Sequence, residues 1–205
     1  PVLAHPEMAA TKEHVENVVN SMPEYVSEFQ KAYGDNVKIS FEKVTDTIGL
    51  FERILVTPSP YDSFLNGEEN ALTTEQKQGL KTFIKIGCTS CHTGVGLGGE
   101  MNAFNITATY KYMNVGDFKG DKNGMVKVPT LRNITQTAPY FHNGKIWSLK
   151  EAIKEMGRIQ LGTDISNKEV NEIETFLKAL TGTKPTLTLP ILPASTDKTP
   201  KPDLN

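Results

Sequence analysis

Apolar residues in this chain recur at helical spacing in several stretches, each bracketed by residues that start or stop a helix. Val15, Val18 and Val19 share one face of a short helix that Thr11 caps and that runs to about Met22. Pro23 suits the first turn of the next helix, Glu24 favours its positive end, and Gly34 stops it. Ser40 caps a third, with Phe41, Val44, Ile48, Phe51 and Leu55 along one side, before Pro58-Ser59-Pro60 breaks the chain. Thr73-Thr74-Glu75-Gln76 is a capping box for a helix whose buried stripe is expected to be Leu80, Phe83 and Ile84. Gly79, one turn before Phe83, either lets a second helix approach closely or is a tolerated defect. Ser148 and Glu151 open a helix ending at Met156-Gly157. Ser166 and Glu169 open another that buries Val170, Ile173, Phe176, Leu177 and Leu180 and stops at Gly182. Residues 100–128 read as loop with scattered aromatics (Phe104, Tyr110, Tyr112, Phe118), and from Thr183 proline and threonine predict an extended tail. The pattern predicts an all-α protein.

The chain has 205 residues, room for one domain or a domain with appendages. A net charge of -2 indicates no nucleic-acid partner. No apolar run reaches membrane-spanning length, so no membrane is expected as a partner.

The chemistry concentrates in Cys88-Thr89-Ser90-Cys91-His92. Cys-x-x-Cys-His is the attachment signature of a c-type haem. Two thiols at this spacing reach the two vinyl groups on one porphyrin edge, and the adjacent histidine becomes the proximal iron ligand. Cys88 and Cys91 are the only cysteines in the chain, so no disulfide competes for them. A zinc knuckle would need two further ligands at finger spacing, and none is present. A thioredoxin-like dithiol would want a preceding strand, whereas this motif ends a helix. Gly94-Val95-Gly96-Leu97-Gly98-Gly99 has the spacing of a dinucleotide loop but lacks the strand before it. Asp121-Lys122-Asn123-Gly124 reads as a polar turn and not a calcium loop, because Lys119 and Thr130 stand at the loop's first and last ligand positions. Covalent haem predicts export, in bacteria to the periplasm. No signal peptide precedes Pro1, so the expected species is a mature product, a fragment or a recombinant piece.

The sixth iron ligand decides the chemistry. A thioether raises the potential and closes the site for electron transfer, a second histidine lowers the potential, and an open face admits peroxide or gas. The candidates are Met101, Met113, Met125, Met156 and His142. Met156 leads because it ends a short helix just before a loop, between the haem helix and the last helix; His142 comes next.

Gly87 to His92 followed by Leu97-Gly98-Gly99, then Val128-Pro129-Thr130-Leu131-Arg132-Asn133, Thr137-Ala138-Pro139-Tyr140-Phe141-His142, and Leu149 to Gly162 stand in that order. Together with Met22-Pro23-Glu24-Tyr25 and the closing Pro190 to Pro202, they resemble the bacterial dihaem cytochrome c peroxidases over nearly the whole chain. In that family an amino-terminal haem reduces hydrogen peroxide and a carboxy-terminal haem takes electrons from small cytochromes or cupredoxins. The resemblance implies that this chain is the second half, with a class I cytochrome c-like haem domain over residues 67–182. Residues 1–66 would belong with a missing peroxidatic domain, and 183–205 would be an extended tail. It implies one covalent haem c on Cys88 and Cys91, axial ligands His92 and Met156, and near-haem roles for Arg132 and His142. Thr137 and Pro139 match positions whose backbone carbonyls bind an inter-domain calcium. No first Cys-x-x-Cys-His is present. The expected partners are an electron donor, the amino-terminal haem domain and, as a further assembly, a homodimer. The alternative is a stand-alone monohaem electron carrier.

Overall fold

The computed structural model describes residues 2–5, 7–116 and 120–202; Phe118 and Lys119 lie outside them. The chain divides into two compact units, residues 57–184 and residues 1–56 with 185–205. Seven α-helices account for most of the regular structure of the described residues, and one two-stranded sheet joins them.

The smaller unit holds α1 (Lys12–Asn20), α2 (Pro23–Tyr33) and α3 (Phe41–Ile54). Each starts where the caps place it: Thr11 accepts from the His14 amide, Pro23 opens α2, and Ser40 accepts from the Lys43 amide. Met22, Ile39 and Phe41 form its small buried centre. The tail is extended, as its proline content predicts, and is tied to the end of α1. Ser21 Oγ donates to Thr199 Oγ1 at 2.8 Å, and Thr196 Oγ1 donates to the Ser21 carbonyl. The α3 stripe departs from expectation beyond Phe41. Ile48, Phe51 and Leu55 are exposed, because nothing within this unit packs over that side of the helix.

The larger unit starts at Thr57, ahead of the expected boundary at residue 67. Pro58-Ser59-Pro60 does not merely break the chain. Ser59 and Asp62 form a capping box, and Pro60 sits in the first turn of the short α4 (Pro60–Leu65). The unit is built on the crossing of α5 (Thr74–Ile86) with α7 (Asn167–Lys178), whose capping boxes at Thr73/Gln76 and Ser166/Glu169 are both made. Gly79 is the point of contact. A Cβ there would overlap the Glu172 carbonyl and Phe176 Cβ, so only glycine allows the two backbones this close. Beside it Thr82 Oγ1 donates to Glu172 Oε2, and the Phe83 and Phe176 rings lie 5.4 Å apart. Val170, Ile173, Phe176, Leu177 and Leu180 are all buried, as their spacing predicts. On α5 the stripe is corrected: Phe83 is buried, Leu80 half-buried, and Ile84 exposed, with Thr82 buried in its place because the glycine contact turns that side inward. α7 ends at Lys178, before Gly182, which instead packs its backbone against Thr57.

The 100–128 stretch is not all loop. β1 (Met101–Ala103) pairs antiparallel with β2 (Met125–Lys127), Met101 opposite Lys127. The short α6 (Leu149–Met156), capped by Ser148, packs on α7 and runs into a π turn, Gly157–Leu161.

Candidate haem-binding site

Gly87 ends α5 in the left-handed region (φ 97°, ψ 13°), a conformation glycine takes without strain. The chain then tightens into a 3-10 turn over Cys88–Ser90, and the His92 amide bonds the Cys88 carbonyl at 3.0 Å. This coil delivers two thiols and an imidazole from one short stretch. Both thiols are free and half-buried; burial pushes the Cys88 thiol up to about 11.

His92 Nδ1 lies 3.0 Å from the Leu97 carbonyl. A carbonyl only accepts, so Nδ1 carries the hydrogen and Nε2 keeps the lone pair that a metal needs. Burial lowers the histidine pKa and favours that neutral form, against an opposite pull from the Leu97 and Pro129 carbonyls. Those carbonyls are placed by backbone. Gly99 donates to Val128, Val128 to Glu100 and Leu131 to Gly96, so these bonds continue from the β1–β2 ladder and stitch the 94–100 loop to the 128–131 segment. Gly98 (φ +135°) makes the closest approach, since a Cβ would overlap the Pro129 carbonyl. Leu97 itself is buried at φ 47°, an uncommon value for leucine that this stitching imposes.

The surroundings fit a haem. Phe83 stands 6.4 Å from the imidazole ring, and Leu131, Ile134, Leu149 and Ile153 pack on the core while remaining only partly covered. A flat apolar group would complete that burial. Among the described residues no three His, Cys, Asp or Glu side chains converge as they would around a bare metal ion.

The other expected site residues are spread around this centre. Met156 is half-buried at the end of α6. Met101 is exposed on β1, Met125 lies on β2, and Met113 packs against a second core of Tyr110, Tyr140, Ile146 and Ile159. His142 is exposed, with Nε2 3.1 Å from the Val115 carbonyl. Thr137 and Pro139 sit in an exposed turn.

Arg132 has a firmer structural engagement than spacing suggests. Its guanidinium forks onto both oxygens of Asp62 at 2.9 and 2.8 Å, donates to Ser59 Oγ and to the Val95 carbonyl, and lies over the Tyr61 ring. It thus ties α4 to the loop beside the haem motif. Burial alone would raise the Asp62 carboxyl; hydrogen bonds from Ser59 and then the Arg132 guanidinium outweigh it and hold it below the usual range. A depressed carboxylate stabilises the fold above its unfolded pKa and loses that contribution as pH falls through the folded value. Arg132→Ala should therefore lower the unfolding free energy near pH 7 by about 2–3 kcal/mol, less than for a fully buried pair because Asp62 is partly exposed. Urea titration at pH 7 and pH 3 measures this, and the gap between variant and parent should shrink at the lower pH.

Residues 1–70 match the family model for di-haem cytochrome c peroxidase. The chain is 41% identical to the cytochrome c551 peroxidase of Nitrosomonas europaea and 39% identical to that of Pseudomonas aeruginosa. Each alignment takes in 98% of this chain and 62% of the relative, so the chain spans less than two thirds of those proteins. The crystal structure of a MauG-like protein associated with microbial copper homeostasis is similar at TM-score 0.65 and 26% identity, over 86% of this chain and 64% of that one. What the chain is similar to, over nearly its whole length, is thus the di-haem cytochrome c peroxidases.

Proposed function

We propose that this chain is the electron-transfer haem domain of a bacterial dihaem cytochrome c peroxidase. The observation that carries the reading is the Cys88-to-His92 coil, with both thiols free and the histidine's Nδ1 hydrogen committed to Leu97. Cys88 and Cys91 would hold one haem c covalently in a cytochrome c-like setting, with His92 and Met156 as the residues that would bind its iron. The bound haem supplies one-electron Fe(III)/Fe(II) chemistry. The chain's residues orient the imidazole, bury the apolar edge, and use the Met156 thioether to keep peroxide off the iron. A small cytochrome c or cupredoxin in the periplasm would be the electron donor, and an amino-terminal peroxidatic haem domain, reducing hydrogen peroxide with two electrons and two protons to two waters, would be the acceptor. The Thr137 and Pro139 carbonyls would contribute to a calcium site completed by that domain, and two copies would form a homodimer.

Haem content and turnover of the purified full chain test this. One haem per chain with negligible peroxidase activity is expected; efficient peroxide turnover by the chain alone overturns it. The single Cys-x-x-Cys-His favours a second reading, a free-standing monohaem carrier. Faster peroxide turnover on adding a separately produced amino-terminal haem domain would decide for the first reading.

A further inference from the structure

The π turn Gly157–Leu161 follows Met156 directly, and it leaves carbonyls without partners inside the turn. The Gly157 carbonyl is taken up locally, by the Gly162 and Thr163 amides. The Arg158 and Ile159 carbonyls are taken up by one residue far away in sequence. Thr107 donates its amide to the Ile159 carbonyl at 2.7 Å, and its hydroxyl to the Arg158 and Ile159 carbonyls at 2.9 and 3.1 Å. On either side the same segment repeats the contact: Gln160 Nε2 donates to the Asn105 carbonyl, and an Arg158 terminal nitrogen donates to the Thr109 carbonyl. The stretch from Asn105 to Thr109, which bends at Thr107 and Ala108, thus meets the turn at three successive places. Arg158 also forks onto Glu155, one residue before the methionine. Ile159 is 1% exposed and shares a core with Tyr110, which anchors the far end of the segment.

We infer that Thr107 is a positioning residue for the Met156 thioether: it clasps the turn that would otherwise let the sulfur swing away from the iron. This rests on Met156 being the sixth ligand, as proposed above. Nothing in the clasp touches the iron, so its effect is read in how readily the sulfur is displaced. The hydroxyl has a single hydrogen, shared between the two carbonyls, so its removal deletes one bifurcated hydrogen bond and the expected change in the equilibrium between bound and released sulfur is about fivefold.

The test titrates free imidazole against the ferric, haem-loaded full chain and follows the methionine-to-iron charge-transfer band. Thr107→Val should bind imidazole about fivefold more tightly than the parent, whereas Thr107→Ser, which keeps the hydroxyl, should match the parent. Gln160→Met removes an outer clasp contact through a half-buried surface side chain and should shift the affinity the same way by a smaller factor. Met156→Ala serves as the reference. If it loses the band while Thr107→Val and Gln160→Met both keep parental affinity, the clasp is wrong and the ligand assignment stands. If Met156→Ala leaves band and affinity unchanged, the ligand assignment itself fails and takes the clasp with it.

Discussion

Replacing Met156 with alanine should abolish the methionine-to-iron charge-transfer band and lower the reduction potential of the purified chain. The physical reason is competition. On the proposed ligation an entering ligand has to displace the sulfur, so its apparent affinity is scaled down to the fraction of protein in which the sulfur is released. Each tenfold in that ratio corresponds to about 1.4 kcal/mol, and a methionine held by a π turn clamped at three points should hold several such factors. Imidazole affinity is therefore expected to rise on the order of 100-fold in Met156→Ala. Peroxide, excluded from the parent, should begin to react. Potentiometry with spectral detection measures the first effect and stopped-flow mixing with peroxide the second. Axial ligation by methionine favours the reduced iron, so the potential moves downward when it is lost. A spectrum and potential identical to the parent would assign the sixth position elsewhere, with His142 the next residue to substitute.

The second large effect is on folding. Gly79→Ala should destabilise the chain by about 3 kcal/mol or more, at the upper end of what overpacking costs, because the added carbon meets backbone and not a movable side-chain tip. The Glu172 carbonyl and Phe176 Cβ cannot retreat without parting α5 from α7. Parting them would also break the Thr82–Glu172 hydrogen bond and loosen Phe83, which packs toward His92. Elsewhere in a helix the same change would stabilise by up to about 1 kcal/mol through helix propensity, so the sign itself discriminates. Gly49 on α3, where a Cβ meets open space, is the matched control and should gain stability on substitution by alanine. Thermal unfolding of the haem-loaded chain followed by circular dichroism reads both.

How much of this was legible in the sequence varies with the range of the interaction. Caps act within one turn, so Thr11, Ser40, Thr73, Ser148 and Ser166 announced their helices directly. Val170 to Leu180 carried an unbroken period and came out buried, and Gly79 signalled a close approach, although not its partner. The stripes failed where cover came from outside the helix: Ile84 stands exposed because α7 crosses α5 on the glycine side, and Ile48, Phe51 and Leu55 have no cover in their unit. The short strands at Met101 and Met125 were invisible, since three residues hold too little alternation to stand out from loop. At the site, the Cys-x-x-Cys-His spacing singled out Cys88, Cys91 and His92, which the fold holds in one short coil. The carbonyl that orients that histidine belongs to Leu97, whose left-handed backbone depends on a ladder closing nearly 30 residues later, and no local signal encodes it. Arg132 was noticed, but its partner Asp62 lies 70 positions away, and only the fold brings the two together. Thr107 gave no sign at all.

The small ladder has a consequence for how the chain can be altered. Gly99, Val128 and the paired strands are held by backbone bonds, and the turn at Asp121–Gly124 lies at the opposite end of the strand pair from the 94–100 loop that orients His92. Lengthening such a closed loop costs only about 0.6 kcal/mol per doubling. An affinity tag or a fluorescent probe spliced between Lys122 and Asn123 should thus ride on the molecule and leave the surroundings of His92 in place.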